Sequence, residues 1–158
     1  PEYETGSFDL ILFSYNGIDY ISHEDRLKSL REIRRVGKTG GYFVFSTHNL
    51  LFLNKLYTIK RQKKLKDFIY QFYALFMLIV LNGLPGKYMR RPFAVINDGT
   101  NRFSLKTYYI EPQAQIDQLK ACGFKNIRLF SIETGTEIEI SRINETANAL
   151  WIYYLCEM

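Results

Sequence analysis

Apolar positions along the chain fall into two kinds of pattern. Residues 8–14 (FDLILFS) and 42–46 (YFVFS) are near-continuous apolar runs, as expected of short strands buried on both faces of a parallel sheet. Between them Leu27, Leu30 and Ile33 recur at helical spacing, behind a Ser22-x-x-Asp25 capping pattern. The spacing predicts a helix over 23–36, ended by Gly37 as a C′ residue, with Gly40-Gly41 as a tight turn into the next strand. Residues 7–49 are thus expected to form a βαβ unit, whose first turn is where open α/β sheets bind small molecules.

Residues 50–81 continue in a helical pattern, first basic (LLFLNKLYTIKRQKKLKD) and then apolar (FIYQFYALFMLIVLNGL). The apolar run falls short of the roughly 20 residues a bilayer span needs, and Gln71 and two tyrosines interrupt it. A buried or lid helix is expected, with weak docking of the basic flank on a membrane surface as the alternative. Lys87, Arg90 and Arg91 form a second basic cluster. Residues 93–97 and 102–110 alternate as two strands joined through Asp98-Gly99-Thr100-Asn101, a hairpin suited to covering a site. Pro112 opens a helix with Ile116 and Leu119 on its buried stripe, and Gly123-Phe124 closes it. Residues 127–132 and 150–156 are the last predicted strands.

Composition changes this picture little. At 158 residues, 47% hydrophobic and 23% charged, the chain reads as one globular domain, without repeats or a dividing linker. The net charge of +5 is interleaved with acids and reads as a solvated basic surface, so no nucleic-acid partner is expected. Cys122 and Cys156 have no Cys-x-x-Cys spacing, which indicates neither a metal site nor a disulfide framework; with no signal-peptide pattern in PEYETGSFD, a cytoplasmic setting is expected. Gly37-Lys38-Thr39 is not a P-loop, because the glycine that motif requires upstream is Glu32 and the turn follows a helix.

Candidate chemistry sits at the carboxyl ends of the first two strands. The turn Tyr15-Asn16-Gly17-Ile18-Asp19-Tyr20 follows the first, and His48 and Asn49 lie beyond the second. His48 is either a general base or a hydrogen-bonded structural residue. His23 is expected on the surface, and Asp9 at the start of its strand bonding backbone donors.

In this order, FDLILFSYNGIDYI…EDRLKSLREIRRVGKTGGYFVFSTHN resembles the second half of a class I S-adenosylmethionine-dependent methyltransferase, and YYIEPQAQIDQLKACGFKNIRLF resembles the late helix, turn and strand of that family. The resemblance implies a Rossmann-like three-layer sandwich with a mostly parallel sheet of order 3-2-1-4-5-7-6, the last strand antiparallel. Residues 8–14, 42–46, 127–132 and 150–156 correspond to its fourth to seventh strands. The first three strands, the glycine-rich cofactor loop and the acidic residue that holds the ribose have no counterpart. The chain therefore resembles the carboxyl-terminal part of the catalytic domain, and alone it is expected to bind cofactor poorly. The resemblance further implies cofactor contact from Ser14, Tyr15, Asn16 and Gly17, catalytic roles for His48 and Tyr109, and substrate contact from Asn49 and Tyr108. It makes residues 50–105 an insertion or lid, and the acceptor a small or carrier-borne molecule; a non-catalytic docking module is the alternative. A first strand left with an open edge is expected to pair with another copy as a homodimer.

Overall fold

The structure, a computed structural model, describes residues 2–61 and 63–158. Strand β1 (Phe8–Phe13) leads through a 3-10 turn at Gly17–Tyr20 into helix α1 (His23–Val36) and the long strand β2 (Gly37–Asn49). A 3-10 turn and the short α2 (Leu53–Leu56) precede α3 (Leu65–Asn82). Then come β3 (Phe93–Ile96), the helical turn α4 (Thr100–Phe103), β4 (Thr107–Ile110), α5 (Pro112–Ala121), β5 (Lys125–Ser131), β6 (Glu137–Ile138), a 3-10 stretch at Ile140–Asn148 and β7 (Trp151–Glu157).

The seven strands run in the order β3-β4-β2-β7-β5-β6, with β1 also paired to β2. β7 lies antiparallel between β2 and β5, whereas β1 and β4 pair with β2 in parallel. The sheet is therefore mixed; the mostly parallel sheet expected from sequence is altered by β7 and by the antiparallel partners β3 and β6. Because β7 occupies one edge of β2 from Tyr42 to His48, both β1 and β4 use the other. β1 pairs along Tyr42–Phe45 and β4 takes over at His48 and Asn49. The hairpin β3–β4 is thereby stationed beyond the carboxyl end of β1, and its second strand begins at Thr107, not at residue 102 as its pattern predicted. Residues Asn101, Arg102 and Phe103 adopt positive φ instead of extending that strand.

Helices α1 and α5 pack on one face of the sheet. Leu30, Ile116 and Leu119 meet Phe43, Phe45, Leu129 and Tyr154 in the main core. Both helices follow their punctuation. Ser22 Oγ accepts from Asp25 N at 3.1 Å, opening α1 where the capping pattern put it. Gly123 takes φ 89°, and Phe124 N donates to Leu119 O at 3.1 Å, closing α5 in a Schellman arrangement.

Three expectations are corrected. β1 is not buried on both faces: Leu10 and Leu12 are 61% and 63% exposed, because no described strand pairs with its other edge and no described helix covers that face. Gly37 is not a left-handed helix stop; it has φ −76° and begins β2, and it lacks a side chain because a Cβ there would lie 1.9 Å from Met158 Sδ. Asp9 bonds no backbone donor; its exposed carboxylate pairs with Lys38 at 2.7 Å.

Burial raises the proton affinity of several thiols and phenols. It pushes the Cys156 thiol from its ordinary 9.0, and the Tyr108 hydroxyl from 10.0, up to about 12. A folded-state pKa above the unfolded one stabilises the fold fully below the unfolded value and ceases to do so as pH climbs through the folded value. The urea midpoint is therefore expected to fall progressively between pH 9 and about 12. A midpoint that stays level across that interval would contradict the burial of these two groups.

Candidate functional site

The chain turns sharply just outside the carboxyl end of β1. Tyr15 and Asn16 both sit in the left-handed region, at φ 56° and 52°, a conformation side chains other than glycine rarely adopt and that costs about 1–3 kcal/mol per residue. Ser14 and Tyr15 face solvent, Tyr15 at 85% exposure, while Asn16 is buried. Its backbone N–H bonds Ser46 Oγ at 3.3 Å and its carbonyl accepts from Asp19 N at 2.9 Å. Among the described residues the side-chain Oδ1 has no partner. A buried acceptor left unpaired costs about 1–3 kcal/mol. Tyr57, Asn97, Thr107, Trp151 and Tyr154 also hold unpaired buried polar atoms, and Asn16 differs from them in lying in a left-handed turn at the carboxyl end of β1. Gly17 packs on Phe13, whose ring carbon would lie 2.9 Å from a Cβ there.

Asp19, from the same turn, is the hub of a buried polar network. Arg26 of α1 is fully buried and donates through Nη1 to Asp19 Oδ1 at 2.5 Å and to Ile18 O at 3.0 Å; through Nη2 it bonds Thr47 Oγ1 at 3.1 Å and Gln115 Oε1 at 2.7 Å. Its guanidinium also lies 4.6 Å from the Tyr108 ring centroid. Thr47 Oγ1 donates to Asp19 Oδ1 at 2.6 Å. The other carboxylate oxygen accepts from His48, at 2.8 Å from the backbone N–H and 2.7 Å from Nδ1. A carboxylate only accepts, so the proton of neutral His48 sits on Nδ1 and Nε2 carries the lone pair. Among the described residues nothing bonds Nε2. The imidazole is held between Tyr109, at 4.9 Å between centroids, Trp151 at 5.7 Å and Tyr20 at 6.4 Å.

The other candidates are tied down. Tyr109 is buried and its hydroxyl donates to Asp98 Oδ2 at 2.9 Å; burial first, and the Asp98 carboxylate second, push its pKa far up. It walls His48. Tyr108 is fully buried, with its hydroxyl 2.8 Å from His23 Nδ1. His23 is accordingly half-buried and stacked on Phe93 at 4.2 Å, not a free surface residue. Asn49 makes no free contact either: Nδ2 donates to Thr146 O and Ala149 O at 2.8 and 3.0 Å, and Oδ1 accepts from Leu51 N at 3.0 Å. It clamps the end of β2 to the segment before β7.

Residues 1–45 match the family described as methyltransferase domain. The whole chain superposes on solved structures of S-adenosylmethionine-dependent methyltransferases from Mesorhizobium loti (TM-score 0.57, 12% identity, 99% of this chain and 64% of that one) and Clostridium acetobutylicum (0.55, 15%, 96% and 58%). A third, from Methanosarcina mazei, gives 0.54 at 12% identity, covering 99% and 62%. The fold is that of a class I S-adenosylmethionine-dependent methyltransferase. The chain spans about three fifths of the length of these methyltransferases, and comparison with curated proteins finds no match. Within the methyltransferase fold β1, β2, β7 and β5 take the places of the fourth, fifth, seventh and sixth strands, which is the order the sequence implied.

Arg26 is the residue that sequence reading did not name, and Asp19 entered it only as a member of the candidate turn. A signal was present: Arg26 lies four residues before Leu30 on the helix, hence on its buried face, where a guanidinium requires a partner.

Proposed function

We propose that this chain forms one wall of the cleft of a methyltransferase that uses S-adenosylmethionine and acts on a small or carrier-borne acceptor. The observation that carries the reading is the unpaired, buried Asn16 Oδ1 in a left-handed turn at the carboxyl end of β1, within a methyltransferase fold. These residues fit the cofactor: Asn16 Oδ1 accepts from a donor such as its amino group, and exposed Ser14 and Tyr15 flank it. When bound, the cofactor supplies an activated methyl group, so the chemistry asks chiefly for alignment of the acceptor. His48 Nε2 takes the acceptor's proton, and Asp19 keeps the Nδ1 proton in place and stabilises the imidazolium that results. Residues 50–105, which include β3 and the turn that leads to β4, select the acceptor.

A non-catalytic docking module is the second reading, favoured by the apolar surface at Leu10 and Leu12 and the open edge of β1, which suit a second copy. Calorimetric titration of the full-length protein with S-adenosylmethionine separates the two. Saturable binding is expected, weakened at least tenfold by Asn16→Leu, in line with about 1–3 kcal/mol for a lost buried partner. Among the described residues Oδ1 has no partner, so the substitution breaks no bond at that atom, but leucine tolerates the left-handed φ of 52° less well than asparagine and a modest drop in melting temperature is expected. Absence of binding heat in the unaltered protein would favour the docking module.

A further inference from the structure

Helix α3 presents a surface that neither the core nor the cleft uses. It is long and apolar enough to cross a membrane, yet only 11% of it is buried. Of the two expectations for this segment, a buried or a lid helix, the exposure removes the buried one. Ile69, Tyr73, Phe76 and Val80 follow one another at three- and four-residue spacing and are 51–63% exposed, so they form a single outward stripe. Leu65 and Phe72 widen it. No charged residue occurs from Phe68 to Leu84.

Both ends of this stripe are basic and exposed. Lys60, Arg61, Lys63, Lys64 and Lys66 precede or open the helix, and Lys87, Arg90 and Arg91 follow it. Charge concentrated at the two ends of an exposed apolar helix matches anionic headgroups above an acyl boundary; a second protein surface would have to supply acidic groups about a helix length apart. Phe68, Tyr70, Phe72 and Tyr73 gather in the amino-terminal half, next to the larger basic cluster, as amphipathic rings do at a headgroup layer.

The inward side of α3 decides between lying on a bilayer and crossing it. Leu78 and Asn82 are buried, and the Asn82 side chain bonds Leu78 O at 3.0 Å, Asn97 O at 2.8 Å and Asn97 N at 2.8 Å. Tyr88 Oη closes the same end by donating to Asn82 O at 2.8 Å. These bonds fasten the helix to the β3 end of the hairpin, so crossing a bilayer would break them while lying in the interface keeps them.

We propose that α3 and its two basic flanks form an interfacial docking site for an anionic lipid bilayer. The stripe from Ile69 to Val80 enters the headgroup–acyl boundary and the flanks contact phosphate. This rests on α3 alone and not on the cofactor reading.

The test uses the full-length protein and vesicles of phosphatidylcholine, with or without roughly 30% phosphatidylserine. Co-sedimentation with the anionic vesicles is expected to exceed that with neutral ones by at least tenfold and to fall with added salt. Ile69→Asp/Phe76→Asp, both outward-facing, is expected to lower it at least tenfold while leaving the melting temperature within a degree or so. Lys63→Glu/Lys64→Glu is expected to erase the preference for anionic vesicles. In a Phe76→Trp variant, quenching by shallow brominated lipid is expected to exceed quenching by deep lipid, and the reverse would indicate a spanning helix and overturn the proposal. Equal binding of the stripe variant, no binding to either vesicle, or self-association abolished by the stripe variant without lipid binding would each overturn it.

Discussion

In the full-length protein, His48→Asn is expected to lower kcat for methyl transfer by about 100- to 10,000-fold, the usual worth of a positioned proton acceptor. Asparagine keeps a donor where Nδ1 stood and so preserves the bond to Asp19, but it has no counterpart of Nε2. The substitution therefore separates the two roles that His48 admits. If the residue is only a structural clamp, turnover persists because the clamp persists. If Nε2 takes the proton, kcat falls while KM changes little, since proton acceptance stabilises the transition state and not the bound acceptor. Steady-state kinetics with a melting curve on the same preparation reads both, and an unchanged kcat would contradict the proton-acceptor role. The expectation holds for acceptors that lose a proton on methylation.

Arg26→Met is expected to destabilise the fold by about 3–5 kcal/mol, measured as the change in unfolding free energy in urea. Asp19 is fully buried and its charge is balanced by Arg26 at 2.5 Å. Methionine fills the space of the arginine stem but leaves that carboxylate without a counter-charge in a region of low polarity. Adding Asp19→Asn should restore part of the loss, because it removes the orphaned charge; the two effects are then non-additive, as for groups in one network. A loss below about 1 kcal/mol, the range of a solvated surface pair, would mean that the pair is not sealed from water. Five side chains from four segments meet at this pair, so its removal also loosens the tether of His48.

The parts of the fold legible from sequence were those written in local chemistry. Ser22-x-x-Asp25 and the stripe at Leu30 define α1 to the residue, and Pro112 with Gly123-Phe124 defines α5, because caps and periodicity act within a few positions. The strand order followed from the resemblance. What escaped was set by distant partners. Gly37 lacks a side chain because Met158 arrives there, and the end of β2 extends to Asn49 because β4 and β7 flank it. At the site, Asn16 was named together with Ser14, Tyr15 and Gly17 with nothing to set it apart, and the bonds from Asn49 to Thr146 and Ala149 join positions too distant in sequence for local chemistry to show. Helix α3 read as a buried or a lid helix because its composition is apolar, and composition does not say which side of a helix meets protein.

The central claim, that the Tyr15-Asn16-Gly17 turn is a cofactor wall facing His48, is tested most directly by amide NMR of the full-length protein titrated with S-adenosylhomocysteine. The account predicts saturable shifts of the Tyr15, Asn16 and Gly17 backbone amides and of the Asn16 side-chain amide, with His48 perturbed in parallel. Saturable binding that leaves those signals in place would contradict it.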